Sequence, residues 1–159
     1  MQERIEVLKE KKLAGKKLRM SFASDRTYDL WRSFMPRRNE IKNKTGAELY
    51  SVEIYGPAFF EPFDPSKEFD KWAAVEVSDY DFIPDEMKTL TIPSGLYAVF
   101  IHKGPASEGE KTYQYIFTQW LPASEFVLDN RPQFAVMGEK YQSDDPSSEE
   151  EIWIPIRKK

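Results

Sequence analysis

The chain has no cysteine. That inventory excludes disulfides and thiolate chemistry, and it suits a reducing setting, so a cytoplasmic location is expected. Histidine occurs once, as His102. The usual zinc and iron centres need several imidazole or thiolate ligands, and no loop has the spacing of an EF-hand, so no metal is expected. No run approaches the roughly 20 apolar residues of a membrane span, and no membrane association is expected. Met1 to Lys17 alternates charges without an apolar stretch and does not read as a signal peptide. Also missing are a Walker A loop, a G-x-G-x-x-G fingerprint and a G-x-S-x-G elbow, so no nucleotide or other cofactor is expected. His102 stands just before Lys103-Gly104-Pro105. It reads as a solvent-facing residue at a strand end rather than as part of a Ser-His-Asp arrangement.

What is present is an ordinary globular composition. The 159 residues are 40% hydrophobic and 31% charged, enough for one domain with its own core. Net charge is −4. Basic residues gather at Lys9, Lys11, Lys12, Lys16, Lys17 and Arg19, and again at Arg37 and Arg38. Against an acidic total they read as solvated faces rather than as a phosphate-binding stripe, and no direct nucleic-acid contact is expected. The acidic run Asp144, Asp145, Glu149, Glu150, Glu151 encloses Pro146, Ser147 and Ser148, and most of it reads as a hairpin loop.

Period and punctuation predict an α+β chain. Strands are predicted at Leu18 to Phe22, Leu49 to Tyr55, Trp72 to Val77, Met87 to Ile92, Leu96 to His102, Gln133 to Lys140 and Glu150 to Ile156. Helices are predicted at Tyr28 to Ile41, with Asp25 or Thr27 as cap, and at Lys111 to Leu121. The order strand, helix, strand, strand therefore occurs twice. Leu30-Trp31-Arg32-Ser33-Phe34-Met35-Pro36 lines up with Ile116-Phe117-Thr118-Gln119-Trp120-Leu121-Pro122, and Val52-Glu53-Ile54 with Phe134-Ala135-Val136. The expected architecture is a tandem pair of strand-helix-strand-strand units, with halves near 13–80 and 87–157, one antiparallel sheet, two helices and a central cleft.

Alternation sorts the strand residues into faces. Tyr50, Val52 and Ile54 oppose Ser51, Glu53 and Tyr55; Ala73, Val75 and Val77 oppose Trp72, Ala74 and Glu76; Ile152, Ile154 and Ile156 oppose Glu151 and Trp153. Glu53 taken alone reads as a solvent-facing residue, and Trp31, Phe34, Phe117 and Trp120 read as core. Alternation tells which residues share a face but not which face lines a cleft.

Several stretches resemble the GyrI-like, or AraC-type effector-binding, superfamily. They are Phe69-Asp70-Lys71-Trp72-Ala73-Ala74-Val75-Glu76-Val77, Pro93-Ser94-Gly95-Leu96-Tyr97-Ala98-Val99-Phe100, Phe134-Ala135-Val136-Met137-Gly138-Glu139-Lys140-Tyr141 and Glu150-Glu151-Ile152-Trp153-Ile154-Pro155-Ile156, with the helix ending Trp120-Leu121-Pro122. The resemblance implies a cleft that holds hydrophobic, often cationic, compounds between aromatics and a buried glutamate. It also implies drug or toxin sensing or sequestration, as in members fused to a DNA-binding domain. About 20 residues precede the repeats here, so a stand-alone member is expected. Many relatives carry an acid where this chain has Ala135, so Glu151 or Glu53 would have to supply the charge. The candidate ligand-binding residues are Tyr55, Trp72, Glu76, Tyr97, Trp120, Met137, Glu151 and Trp153. A second alternative, also implied by relatives, is hydrolysis of strained cyclopropanoid electrophiles, with Glu151 activating water and Tyr97 as acid. A third is a protein-interaction role in protecting a DNA-handling enzyme, with Phe59-Phe60-Glu61-Pro62-Phe63 as the candidate surface.

Overall fold

The structure is a computed structural model, and it describes residues 3–138 and 146–159. Strands are β1 Glu3–Leu8, β2 Lys11–Ser21, β3 Leu49–Ile54, β4 Glu68–Glu76, β5 Lys88–Ile92, β6 Gly95–Lys103, β7 Phe126–Leu128, β8 Gln133–Met137 and β9 Glu149–Lys158. Helix α1 is Thr27–Phe34, continued by a 3-10 stretch Met35–Glu40. The second helical segment runs through α2 Gly109–Tyr115, a widened π stretch Ile116–Trp120 and α3 Leu121–Ala123. Proline punctuates both helices. Pro36 stands where α1 tightens into the 3-10 stretch. Pro122 stands just past the π stretch, a place where a proline ring would crowd the carbonyl four residues back in a regular α-helix.

Two expectations about boundaries are corrected. The N-terminal residues do not precede the domain: β1 and the first half of β2 belong to the sheet. The helix predicted to Ile41 keeps its α geometry only to Phe34. Asp25 does accept hydrogen bonds from the Thr27 backbone N–H (2.8 Å) and hydroxyl (2.6 Å), though the residue at the cap position is Arg26. The predicted strand end at Lys140 and the loop residues Asp144 and Asp145 lie outside the described residues.

All strand pairs are antiparallel, in the order β1-β6-β9-β8-β3-β4-β2-β5, with β7 paired to β9. The order is symmetric about the β3–β8 seam, where Val52 pairs with Phe134. Across that centre β4 matches β9 and β2 matches β6. Trp72, opposite Val52, therefore corresponds to Trp153, opposite Phe134. The outermost strands are exchanged: β1 flanks β6 of the other half, and β5 flanks β2.

That exchange decides the shape. Residues 9–10 join β1 to β2, and residues 93–94 join β5 to β6. Each short link connects strands near opposite ends of the sheet order, so the ends must meet and the sheet must curl. Gly15 of β2 sits at a close approach in this curl, where a Cβ would lie 2.0 Å from the carbonyl oxygen of Ala73. Inside the curl Tyr50, Val52, Trp72, Tyr97, Val99, Phe134 and Trp153 form a solid core. Phe134 stacks on Trp153 with centroids 5.3 Å apart, and Tyr97 meets both rings edge-on at 5.4 and 5.8 Å.

The outer face carries the helices over two separate clusters. Leu30 and Phe34 of α1 bury against Ala14, Met20, Ala73 and Val75. Ile116 buries against Ala98, Phe100, Ile152, Ile154 and Ile156. Each such side chain contributes about 1.5–3 kcal/mol when fully buried. The seam between the clusters carries the cross-strand pair Ser51 and Ala135. Both are small, so neither fills the space that the two helices leave between them.

Candidate functional site

That space is a cavity of about 530 Å³, within the range of roughly 300–1,000 Å³ typical of small-molecule sites. Its walls come from every element that borders the seam. Helix α1 presents Tyr28 and Trp31, with Met35 a turn further, at spacings that share one helix face. Helix α2 presents Tyr113 from the other side. Strand parity places Leu49, Ser51 and Glu53 of β3 on the floor, with Ala135 and Met137 of β8 beside them. Lys71 of β4 and Glu150 at the start of β9 complete it.

The charges are unequal in their company. Glu53 lies opposite Lys71 in the β3–β4 register, with 3.5 Å between Lys71 Nζ and a carboxylate oxygen. Burial pushes the Glu53 pKa up, Lys71 opposes that rise, and Glu150 adds to it. Glu150 is likewise pushed up by burial, and the charges of His102 and Lys71 oppose the rise. Among the described residues the Glu150 carboxylate makes no side-chain hydrogen bond and no ion pair at contact distance, although His102 stands opposite it in the β6–β9 register. Tyr113 is held well above its ordinary pKa by burial first and then by the two carboxylates, so its hydroxyl stays a donor. The chamber therefore combines indole, phenol and thioether surface with one carboxylate paired at contact distance and one offset only by more distant charges. Such surroundings suit an apolar body with a positive charge, since aromatic faces and carboxylates both attract a cation.

Of the residues singled out by sequence, Met137 lines the cavity, and so does Glu53, the alternative to Glu151 for the family's acid; Glu53 is turned under the helices rather than to solvent. The other candidate ligand-binding residues sit elsewhere. Trp72, Tyr97 and Trp153 are buried inside the curl. Glu76 and Glu151 share that inner side. Glu76 meets Lys11 at 3.4 Å. Glu151 accepts from Arg4 at 3.1 Å and from Trp153 Nε1 at 3.1 Å. The Tyr97 hydroxyl donates to the Pro132 carbonyl at 2.8 Å, and burial pushes it up to about 12. Tyr97 and Glu151 line no common hollow among those described. Trp120 packs edge-on to Phe100 and parallel to Phe126, away from the seam. Tyr55 joins an aromatic cluster with Phe22, Phe59, Phe60 and Phe69 and lines a separate hollow.

His102 is a correction as well. It is buried, not solvent-facing: Nδ1 is 2.7 Å from Thr112 Oγ1, and Nε2 is 3.0 Å from the Pro105 carbonyl, to which it donates. In the loop that carries the candidate interaction surface, Phe59 is buried while Phe60 and Phe63 remain exposed. Sequence reasoning missed Trp31, Tyr113, Lys71 and Glu150 as cavity residues. Their signal was parity: Glu150 shares its face with Ile152, Lys71 with Ala73, and Glu53 with Ser51.

The chain matches the GyrI-like small molecule binding domain over residues 1–157 and belongs to that family. It is 29% identical over 137 residues to the transcriptional regulator BrlR of Pseudomonas aeruginosa, covering 86% of this chain and 48% of that protein. The chain thus spans about half the length of this regulator. The structure of SAV2435 bound to tetraphenylphosphonium superposes with a TM-score of 0.68 at 17% identity, over 99% of this chain and 94% of that one. The EcmrR C-terminal domain does so with a TM-score of 0.68 at 18% identity, over 99% and 98%. These superpositions establish the common fold. Among the described residues no helix is long and apolar enough to cross a membrane.

Proposed function

We propose that the cavity over the β3–β8 seam binds a lipophilic monocation, with Glu150 as counter-charge and Trp31 and Tyr113 as walls. One observation carries the reading. A carboxylate pushed up by burial, with no ion pair at contact distance among the described residues, borders an aromatic-walled space large enough for a drug-sized molecule. The tetraphenylphosphonium complex of SAV2435, a protein of the same fold, supports it, as does this chain's membership of a small-molecule binding family. The proposal takes the chain as one domain with halves near 13–80 and 87–157, acting in the cytoplasm to sense or sequester toxic lipophilic cations. A bound cation favours ionised Glu150, so affinity should rise as pH rises through the raised carboxyl pKa and fall in acid.

Isothermal titration with tetraphenylphosphonium tests this. Saturable binding is expected, weakened at least about tenfold by Glu150→Gln, equivalent to about 1.4 kcal/mol. Absence of saturable heat with this cation and with a diverse panel of lipophilic cations would discard the reading. Titrating Trp31→Phe while following indole fluorescence then reports whether Trp31 is the ring in contact.

A further inference from the structure

We infer that Lys71 sets the charge selectivity of this cavity: it occupies Glu53 as an internal counter-ion, leaving one carboxylate for ligand, so monocations are accepted and dications rejected. The inference rests on the proposed cation site and goes beyond it by assigning the valence of the ligand. Its first support is geometric. Lys71 faces Glu53 across the β3–β4 pair at 3.5 Å, with side-chain exposures of only 18% and 15%. Lys71 Nζ also donates to Thr27 Oγ1 at 3.1 Å, at the start of α1. The ammonium is therefore held on the cavity wall by two elements rather than left free to swing out.

The second support is the asymmetry of the halves. Across the seam Ala135 corresponds to Glu53, and its β9 partner Ile152 corresponds to Lys71. The second half thus has an apolar pair where the first has an ion pair. Glu150, beyond that apolar pair, makes no ion pair at contact distance among the described residues; His102, its cross-strand neighbour, and Lys71 act on it only as longer-range charges.

Charge then decides the ligand. Glu53, Lys71 and Glu150 together carry one negative charge when ionised. A bound monocation neutralises the group. A dication leaves a net positive charge in a partly desolvated space, or must break the Lys71–Glu53 pair to reach a second carboxylate, and both are costly. Replacing Lys71 by a neutral side chain frees Glu53 and should turn the chamber into a two-anion site.

The test compares a long-chain alkyltrimethylammonium ion with the bis(trimethylammonium)alkane of the same chain length, by titration calorimetry on the full chain. The wild type should favour the monocation. Lys71→Met should move the affinity ratio toward the dication by about tenfold or more, the response to about 1.4 kcal/mol. Lys71→Arg should keep the wild-type preference. The double variant Glu53→Gln/Lys71→Met removes a neutral pair, and such pairs are replaceable with little loss of stability. Whatever its absolute affinity, it should keep the wild-type preference for the monocation over the dication.

An unchanged ratio in Lys71→Met overturns the inference. So does a shift of the double variant's affinity ratio toward the dication, which would mean that Glu53 is not the carboxylate Lys71 holds back, and that arm decides the matter if Lys71→Met alone does not fold. If the wild type binds tetraphenylphosphonium but fails these arms, only the role of Lys71 falls. If it binds no cation at all, the reading of the cavity falls with it.

Discussion

The two faces of the sheet hold similar ingredients in different states. On the inner face Trp72, Trp153, Tyr50 and Tyr97 accompany Glu76 and Glu151. On the outer face Trp31 and Tyr113 accompany Glu53 and Glu150. Inside the curl the rings pack on one another, Lys11 meets Glu76, and Arg4 and the Trp153 indole N–H meet Glu151. Outside, the rings border a cavity, and one carboxylate makes no ion pair at contact distance among the described residues. Aromatics beside carboxylates therefore do not make a site. A site needs space and an unspent charge, and here the small Ser51–Ala135 pair supplies the space.

The largest effect that separates the faces is on stability. Trp153→Ala should cost about 3–5 kcal/mol, as a large ring removed from a solid core does. Trp31→Ala should cost less, because its ring is only half buried, and should instead lower affinity for tetraphenylphosphonium. Urea unfolding of the two variants compares them, and equal losses would remove the distinction.

Next comes the pair of adjacent glutamates. Glu150→Gln should lower cation affinity about tenfold without lowering the stability of the ligand-free protein. Glu151→Gln should leave affinity unchanged and lower stability by about 1 kcal/mol through its contacts to Arg4 and Trp153. Calorimetric titration and urea unfolding of both variants read this contrast, and an affinity loss in Glu151→Gln would return the site to the inner face.

A smaller effect follows from pH. Burial raises the carboxyl pKa values of Glu150 and Glu53 above the ordinary 4.5. Between the ordinary and the raised value the folded chain binds more protons than the unfolded one. These groups therefore favour folding most in acid, and their contribution declines as pH rises from about 4.5 through the raised values. Thermal melting across that window should be less pH-dependent in Glu150→Gln than in wild type. An identical pH dependence would mean that Glu150 is not desolvated.

The smallest effect lies between the halves of the inner face. Trp153 Nε1 donates to Glu151, two residues earlier, whereas Trp72 Nε1 is buried without a hydrogen-bond partner among the described residues and has Asp70 at the corresponding place. Asp70 is one methylene shorter and is engaged by Arg19 at 3.2 Å. Asp70→Glu should reach the indole and stabilise the fold by about 0.5–1.5 kcal/mol, visible as a raised unfolding midpoint. No gain would show that length is not what separates the two halves.

Much of this was legible in the chain. Alternation partitioned Glu53 from Val52, Trp72 from Ala73 and Trp153 from Ile154, and each partition holds. The paired helices and the family resemblance were legible too. Strand β1 was hidden by its edge position. Ile5 and Val7 stay exposed there, and no clean apolar alternation marks the strand. Strand β7 is only three residues long, too short to carry a period.

By itself the sequence determined the α+β plan, the order of its elements and the membership of each strand face. Local periodicity and proline punctuation encode those properties over a few residues. Only the tertiary structure decided which face encloses a solid core and which borders a cavity. That choice depends on the exchanged β1 and β5, whose two short links bring distant sheet ends together, and on the two helices that pack outside the resulting curl. Those are long-range pairings, and no single strand's pattern contains them.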